Sequence, residues 1–345
     1  MPLSVDGSAA SSIIKERRDV IAERATNLYF ETRPEGETHW KEARQKCAED
    51  NRQHLDYLSE ALFFGRRALF TEYASWAKAL QGEELAVHLD LLRTTLASEL
   101  EGAGGALVSQ YLDAAMATIG AESPEPPGIL EGNGALDVLA RDYLAALLRG
   151  ERHIAGELIT AAIDGGVFIK DIYLLVFQRV QHEVGRLWQA NRIGVAQEHY
   201  CTACTQSIMS QMYPRIFSSK RNGRRLVSTC VGGDLHEIGV RIVTDFFEME
   251  GWDTFYLGAN TPIPGTLQQV AARLPHVLAI SATLPVHLQA VADLIAATRA
   301  TAKPPFILVG GAPFNALPGL WKDVGADGSA HDAAGALTVP GVPAA

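Results

Sequence analysis

Asp234-x-His236-x-x-Gly239, inside the run Val231-Gly-Gly-Asp-Leu-His-Glu-Ile-Gly239, constrains this chain more than any other feature. It follows Arg225-Leu-Val-Ser-Thr-Cys230, a short apolar stretch of β-prone residues. It precedes Val240-Arg-Ile-Val-Thr-Asp-Phe-Phe247, whose apolar residues recur at helical spacing. The motif therefore belongs to a loop that leaves a strand and enters a helix. Such loops lie at the carboxyl edge of a parallel sheet, where α/β proteins bind ligands. An imidazole with a carboxylate two residues earlier suits metal ligation, because the carboxylate accepts the hydrogen bond of the other ring nitrogen and fixes the tautomer. Gly239 lets backbone approach a bulky planar ligand. Taken alone, the hexapeptide is equally a loop histidine beside an aspartate helix cap.

Two further stretches follow in order. His276-Val-Leu-Ala-Ile-Ser281 reads as a strand ending in a serine, with Thr283 and Leu284 beyond it, and Phe306-Ile-Leu-Val-Gly310-Gly311 reads as another strand ending in paired glycines. Ser281 as a helix cap and Gly310-Gly311 as an ordinary turn would explain each singly, but not the three elements in sequence. Together with Gly325-Ala-Asp-Gly-Ser-Ala-His-Asp332 they resemble the cobalamin-binding domain of methionine synthase and its relatives, over residues 225–335. The resemblance implies a Rossmann-like (flavodoxin-like) domain over 224–340. It implies cobalamin held with His236 as lower cobalt ligand, Asp234 supporting it, and Leu235, Glu237, Gly239, Ser281, Thr283, Gly310 and Gly311 around the cofactor. The family's usual pattern is Ser-x-Leu, and Thr283 departs from it.

A chain of 345 residues has room for two or three domains. Pro-rich Ala121-Glu-Ser-Pro-Glu-Pro-Pro-Gly128 ends the first, and Ser218-Ser-Lys-Arg-Asn-Gly223 marks a second break. The expected division is 1–120, 130–217 and 224–340. The basic run Lys220–Arg225 reads as a solvated linker. A net charge of −10 and a pI near 5.5 disfavour non-specific nucleic-acid binding. Four cysteines are too few for a disulfide scaffold and point to a reducing cytoplasm. No apolar run reaches roughly 18 residues and no secretory segment opens the chain, so neither a membrane span nor export is expected.

Residues 134–217 show helical patterns at 136–148, 151–164, 171–188 and 195–213. Trp188, nine intervening residues, then Glu198-His199 lie among them. By itself this reads as a core tryptophan and a solvated helix turn. One domain before Asp234-x-His236, it resembles the signature of light-sensing cobalamin proteins of the CarH type. That resemblance implies a four-helix-bundle cap over adenosylcobalamin, with Trp188 on the upper face and Glu198 and His199 near the adenosyl group. In DNA-binding light sensors of this type a histidine follows the tryptophan and takes the upper cobalt site after photolysis. Gln189 stands there, leaving His182, His199 or water for that position. Cys201-x-x-Cys204 lacks a second ligand pair and is expected to pack as small hydrophobes.

Residues 1–120 are rich in Ala, Leu, Glu and Arg and show helical periodicity, as at Leu55, Leu58, Leu62 and Phe63. No basic recognition helix or β-wing is evident, so DNA is not an expected partner. Asp50, His54 and Tyr57 share a helical face, with Arg52 round the side. The aromatic and histidine content suits either a dimerising bundle or a planar chromophore bearing acid groups. A helical domain joined to such a cap and cobalamin module resembles the photocobilins, which implies biliverdin as a second chromophore. Cys47 carries no attachment motif, so non-covalent binding is expected, with Arg52 or another arginine pairing a propionate. The combined expectation is α plus α/β: a cytoplasmic, non-enzymatic, light-responsive photoreceptor. It would be a light-dependent homo-oligomer with neither DNA nor membrane partner. The competing reading is a corrinoid carrier protein of a methyltransferase system. No segment is long enough for the substrate barrel of a mutase.

Overall fold

The computed structural model describes residues 5–32, 40–100, 102–121, 128–217 and 219–343. Two compact units divide the chain, Met1–Pro124 and Glu125–Ala345. Residues 122–127 of the Pro-rich stretch lie outside the described residues.

The first unit holds α1 (Val5–Glu31), α2 (Trp40–Phe63), α3 (Arg67–Gln81), α4 (Glu84–Glu99) and α5 (Gly102–Gly120), with no strand among its described residues. The helically spaced Leu55, Leu58 and Leu62 are buried, as are Phe70, Leu89, Leu92 and Leu112 on the following helices. His54 and Tyr57 are buried with them; the Tyr57 and Tyr73 rings stack with centroids 3.7 Å apart, and His54 Nδ1 lies 2.6 Å from the Tyr73 hydroxyl. Arg52 donates instead to Asp19 and Glu23 on α1.

The second unit begins with α6 (Ala135–Leu148), α7 (Arg152–Asp164) and one long helix: α8 (Ile169–Asp171), a π-helical stretch (Ile172–Gln178) and α9 (Arg179–Gln189). Next come α10 (Val195–Gln211) and α11 (Tyr213–Ile216). Buried Tyr143, Ile159, Tyr173, Phe177, Val180, Cys201, Ile208 and Met209 form their common core, so both Cys201 and Cys204 pack as apolar residues with free thiols.

The α/β part follows as β1 (Arg225–Cys230), α12 (Ile238–Met249), β2 (Asp253–Tyr256), α13 (Ile263–Arg273), β3 (Val277–Ser281), a 3₁₀ turn (Pro285–His287) and α14 (Leu288–Arg299). It ends with β4 (Phe306–Gly310), α15 (Ala312–Ala316), α16 (Leu320–Asp323), β5 (Gly328–Ser329) and α17 (Ala333–Ala336). All strand pairs are parallel, and the order β2-β1-β3-β4-β5 is the doubly wound, flavodoxin-like order. β1 and β3 are apolar and buried along almost their whole length, as strands covered on both faces must be. α12 is buried nearly all round. Its Ile242 and Phe246 join the core of the preceding helices, and Phe247 packs with Trp252 and Leu226 on the sheet side.

The basic run before β1 is exposed from Lys220 to Gly223, as a solvated linker would be, and is hydrogen-bonded back to the turn before β2. Arg221 donates to the Trp252 carbonyl and pairs with Glu248, Asn222 bonds the 250–251 turn, and Arg224 lies over the Trp252 ring. The positive charges thus close the amino-terminal edge of the sheet.

Candidate functional site

Sheet register brings the three sequence elements side by side. Cys230 pairs with Ser281, and Ser281 pairs with Gly310, so the loop after β1, the end of β3 and the end of β4 form one carboxyl edge. A Cβ at position 311 would run into the Ala282 carbonyl, and φ there is +114°, so only glycine lets β4 leave the sheet this close to β3. A Cβ at Gly239 would meet nothing within 4 Å, which leaves the first turn of α12 open.

The Asp234 side chain is completely buried at this edge. Its Oδ1 accepts from the His236 amide at 2.9 Å and from His236 Nδ1 at 2.8 Å. Its Oδ2 accepts from the Thr283 amide at 2.6 Å, and His287 Nδ1 lies 3.6 Å from it. Burial works to raise the Asp234 carboxyl. The His236 and His287 rings, with the two amides, outweigh it and hold the group well below the usual carboxylate range. An ionised aspartate bonded to Nδ1–H fixes the tautomer of the neutral His236 ring, whose Nε2 then carries the lone pair. The ring is 56% exposed, and the neighbouring Leu235 side chain is also exposed. One imidazole, anchored from behind and open in front, can offer a single nitrogen to a bound metal.

His287 and Asn260 escaped the reading of the sequence. Asn260 Oδ1 accepts from the Gly233 amide at 2.7 Å and its own amide donates to the Asp234 carbonyl at 2.9 Å, clamping the loop at both ends. The only local signal for His287 is its place in the Pro-initiated turn just after β3. Thr283 supplies a backbone amide, which any residue carries, so its departure from the usual leucine leaves this contact intact. Glu237 directs its carboxylate at Tyr256, Ala259 and Gln206.

α10, with Glu198 in its first turn, is tied to the same loop by the Gln206–Glu237 hydrogen bond. The hydrogen bond that His236 donates to Asp234 is the main cause that raises His236 in pKa, and among the lesser ones is the charge of Glu198. Glu198 Oε2 lies 2.6 Å from His199 Nδ1, and Trp188 is half-buried near the end of α9. His182, one of the candidates for the upper side, is lowered by burial and then by the charge of His331, beyond β5.

Residues 224–338 match the family model described as a B12 binding domain, and residues 139–213 match a second model of the same description. The chain carries a cobalamin-binding module. The module is similar in fold to the monomethylamine corrinoid protein of Methanosarcina barkeri, with a TM-score of 0.52 and 22% identity over 59% of this chain and 96% of that one. The chain is also similar to the HTH-type transcriptional repressor CarA of Myxococcus xanthus, at 29% identity over 134 residues. That match takes in 37% of this chain and 43% of the repressor. Among the described residues no helix is long and apolar enough to cross a membrane.

Proposed function

We propose that this protein is a light-responsive cobalamin sensor that takes adenosylcobalamin. The observation that carries the reading is the exposed His236 ring held from behind by Asp234, in a loop that the Gln206–Glu237 hydrogen bond ties to α10. The Trp188…Glu198-His199 pattern, with Glu198 in the first turn of that same α10, supports the adenosyl form over a bare corrinoid.

In this reading His236 is the lower cobalt ligand, with Asp234 setting its tautomer and His287 and the Thr283 amide holding Asp234. Leu235, Gly239, Ser281, Gly310 and Gly311 line the lower side. Trp188 offers a flat apolar surface to the adenosyl group, and Glu198 accepts hydrogen bonds from ribose hydroxyls while His199 donates another. Bound adenosylcobalamin supplies a cobalt–carbon bond that visible light breaks. The helices of 130–217, serving as a four-helix cap, lose the group they close upon and repack, and association between copies of the chain changes. Residues 1–120 serve as the site of biliverdin, a second chromophore.

The test is to load the protein with adenosylcobalamin in darkness and to record absorption spectra and oligomeric state before and after green light. A light-driven spectral change with altered association is expected. Tight cobalamin binding with no light response and no preference for the adenosyl form would favour the corrinoid carrier instead.

A further inference from the structure

Glu237 follows His236 directly, and its carboxylate holds three donors. Tyr256 Oη donates to Oε2 at 2.8 Å and the Ala259 amide to the same oxygen at 3.0 Å. Gln206 Nε2, on α10, donates to Oε1 at 2.7 Å. One turn further along α12, Arg241 donates to the Gln206 carbonyl at 3.2 Å and to Ser210 Oγ at 2.8 Å. On α10, Glu198, Thr202, Gln206 and Ser210 recur every four residues and so share a face. Thr202 Oγ1 donates to Glu198 Oε1 at 2.9 Å and to Gln181 Oε1 at 3.1 Å, and Gln181 Nε2 donates to Thr205 at 2.8 Å. One helix face therefore begins at Glu198 and, about two turns on, is tied to the residue beside His236.

We propose that Glu237 and Gln206 are a positioning pair that couples coordination at His236 to the placement of α10, and through it to Glu198 and His199. The inference rests on the reading of His236 as the cobalt ligand. Glu237 is the next residue after His236, and Tyr256 and Ala259 hold one oxygen of its carboxylate so that the other stays aimed at Gln206; a shift of the loop therefore alters that bond directly. Gln206 must then follow the loop or give up its hydrogen bond to the Glu237 side chain. The coupling is reciprocal: whatever occupies the upper face changes the affinity of His236 for cobalt by the factor that coordination changes upper-face occupancy.

Gln206→Leu removes the donor on α10 and leaves both other bonds of Glu237 in place. Gln206→Asn keeps the donor but shortens its reach, and serves as a second variant should the first fail to fold. Full-length protein saturated with cobalamin is measured in two ways: nitrogen splitting in the cobalt(II) electron paramagnetic resonance spectrum, and relative affinity for adenosylcobalamin and hydroxocobalamin. The expected result is a lower His-coordinated fraction and a preference shifted by about fivefold or more, the low end of ordinary coupling between sites. A lower melting temperature with unchanged splitting and unchanged preference in the variants would make the pair a mere staple and overturn the proposal. Absence of nitrogen splitting in the wild-type protein would instead remove the reading of His236 on which the proposal stands.

Discussion

Asp234 binds the ring of His236 with one carboxylate oxygen and the Thr283 amide with the other, so a single buried side chain fastens the loop after β1 to the end of β3. The anchoring of the imidazole is thereby part of the sheet edge itself. A loop that holds one ring this firmly can present Nε2 in a fixed direction, which is what an axial metal ligand requires.

His236→Ala should remove imidazole from cobalt and weaken cobalamin binding. Asp234→Ala should leave the ligand present but badly oriented, lowering affinity by about 10–100-fold, as loss of an outer partner typically does. Titration followed by the visible cobalt spectrum distinguishes the two. An unaltered spectrum in His236→Ala would remove the proposed ligation.

Trp188→Ala should lower affinity for adenosylcobalamin while leaving hydroxocobalamin binding near the wild-type value, because only the adenosyl form has a large upper group for an indole to cover. Competition between the two forms, with the rate of the light response as a second readout, checks this. Equal loss for both would place Trp188 in the helical core alone.

Gly311→Ala should destabilise the second unit by about 1–3 kcal/mol or more, since it adds a clash with the Ala282 carbonyl to a φ of +114°. Gly310→Ala is the control, because its Cβ would meet only the Ala330 carbonyl, at an ordinary 3.6 Å. Thermal unfolding of the two variants should separate clearly, and equal melting temperatures would contradict the close strand approach.

Burial, and then the charge of His88, pushes the buried His54 down from 6.5 to about 3. Between those values the unfolded chain binds a proton that the folded one does not. Stability therefore rises with pH in this window and is lost as pH falls below about 6.5, by up to about 1.4 kcal/mol per unit. Asp50 and Asp56, raised by burial, act in the opposite sense nearer the carboxylate range. Denaturant unfolding between about pH 7 and pH 5.5 should show the loss in the wild-type protein. His54→Leu should flatten it, while costing stability at pH 7 because Tyr73 loses its 2.6 Å partner.

Biliverdin added to the full chain should give a red-absorbing complex without a covalent bond to Cys47. Deleting residues 1–120 should abolish that spectrum and keep cobalamin binding. The Asp19 and Glu23 partners of Arg52 make another arginine the better candidate for a propionate. A bilin spectrum that survives the deletion would assign the chromophore elsewhere.

The strands at 225–230, 277–281 and 306–310, the helix after His236 and the helices of 135–211 are legible in the sequence, because period and local turn residues decide them within a few positions. The Asp234–His236 bond is legible for the same reason, being a contact between residues two apart. What only the tertiary structure decided is non-local. The register of β1, β3 and β4 aligns Cys230, Ser281 and Gly310, and no short-range pattern encodes a register between parallel strands. His287 reaches Asp234 only because β3 lies beside β1, and Gln206 reaches Glu237 only because α10 lies beside the start of α12. Glu237 carries no mark in the sequence of its bond to Gln206. The bonds of the basic run before β1 are non-local in the same way: its charges find Glu248 and the Trp252 carbonyl only once the chain has turned back beside them.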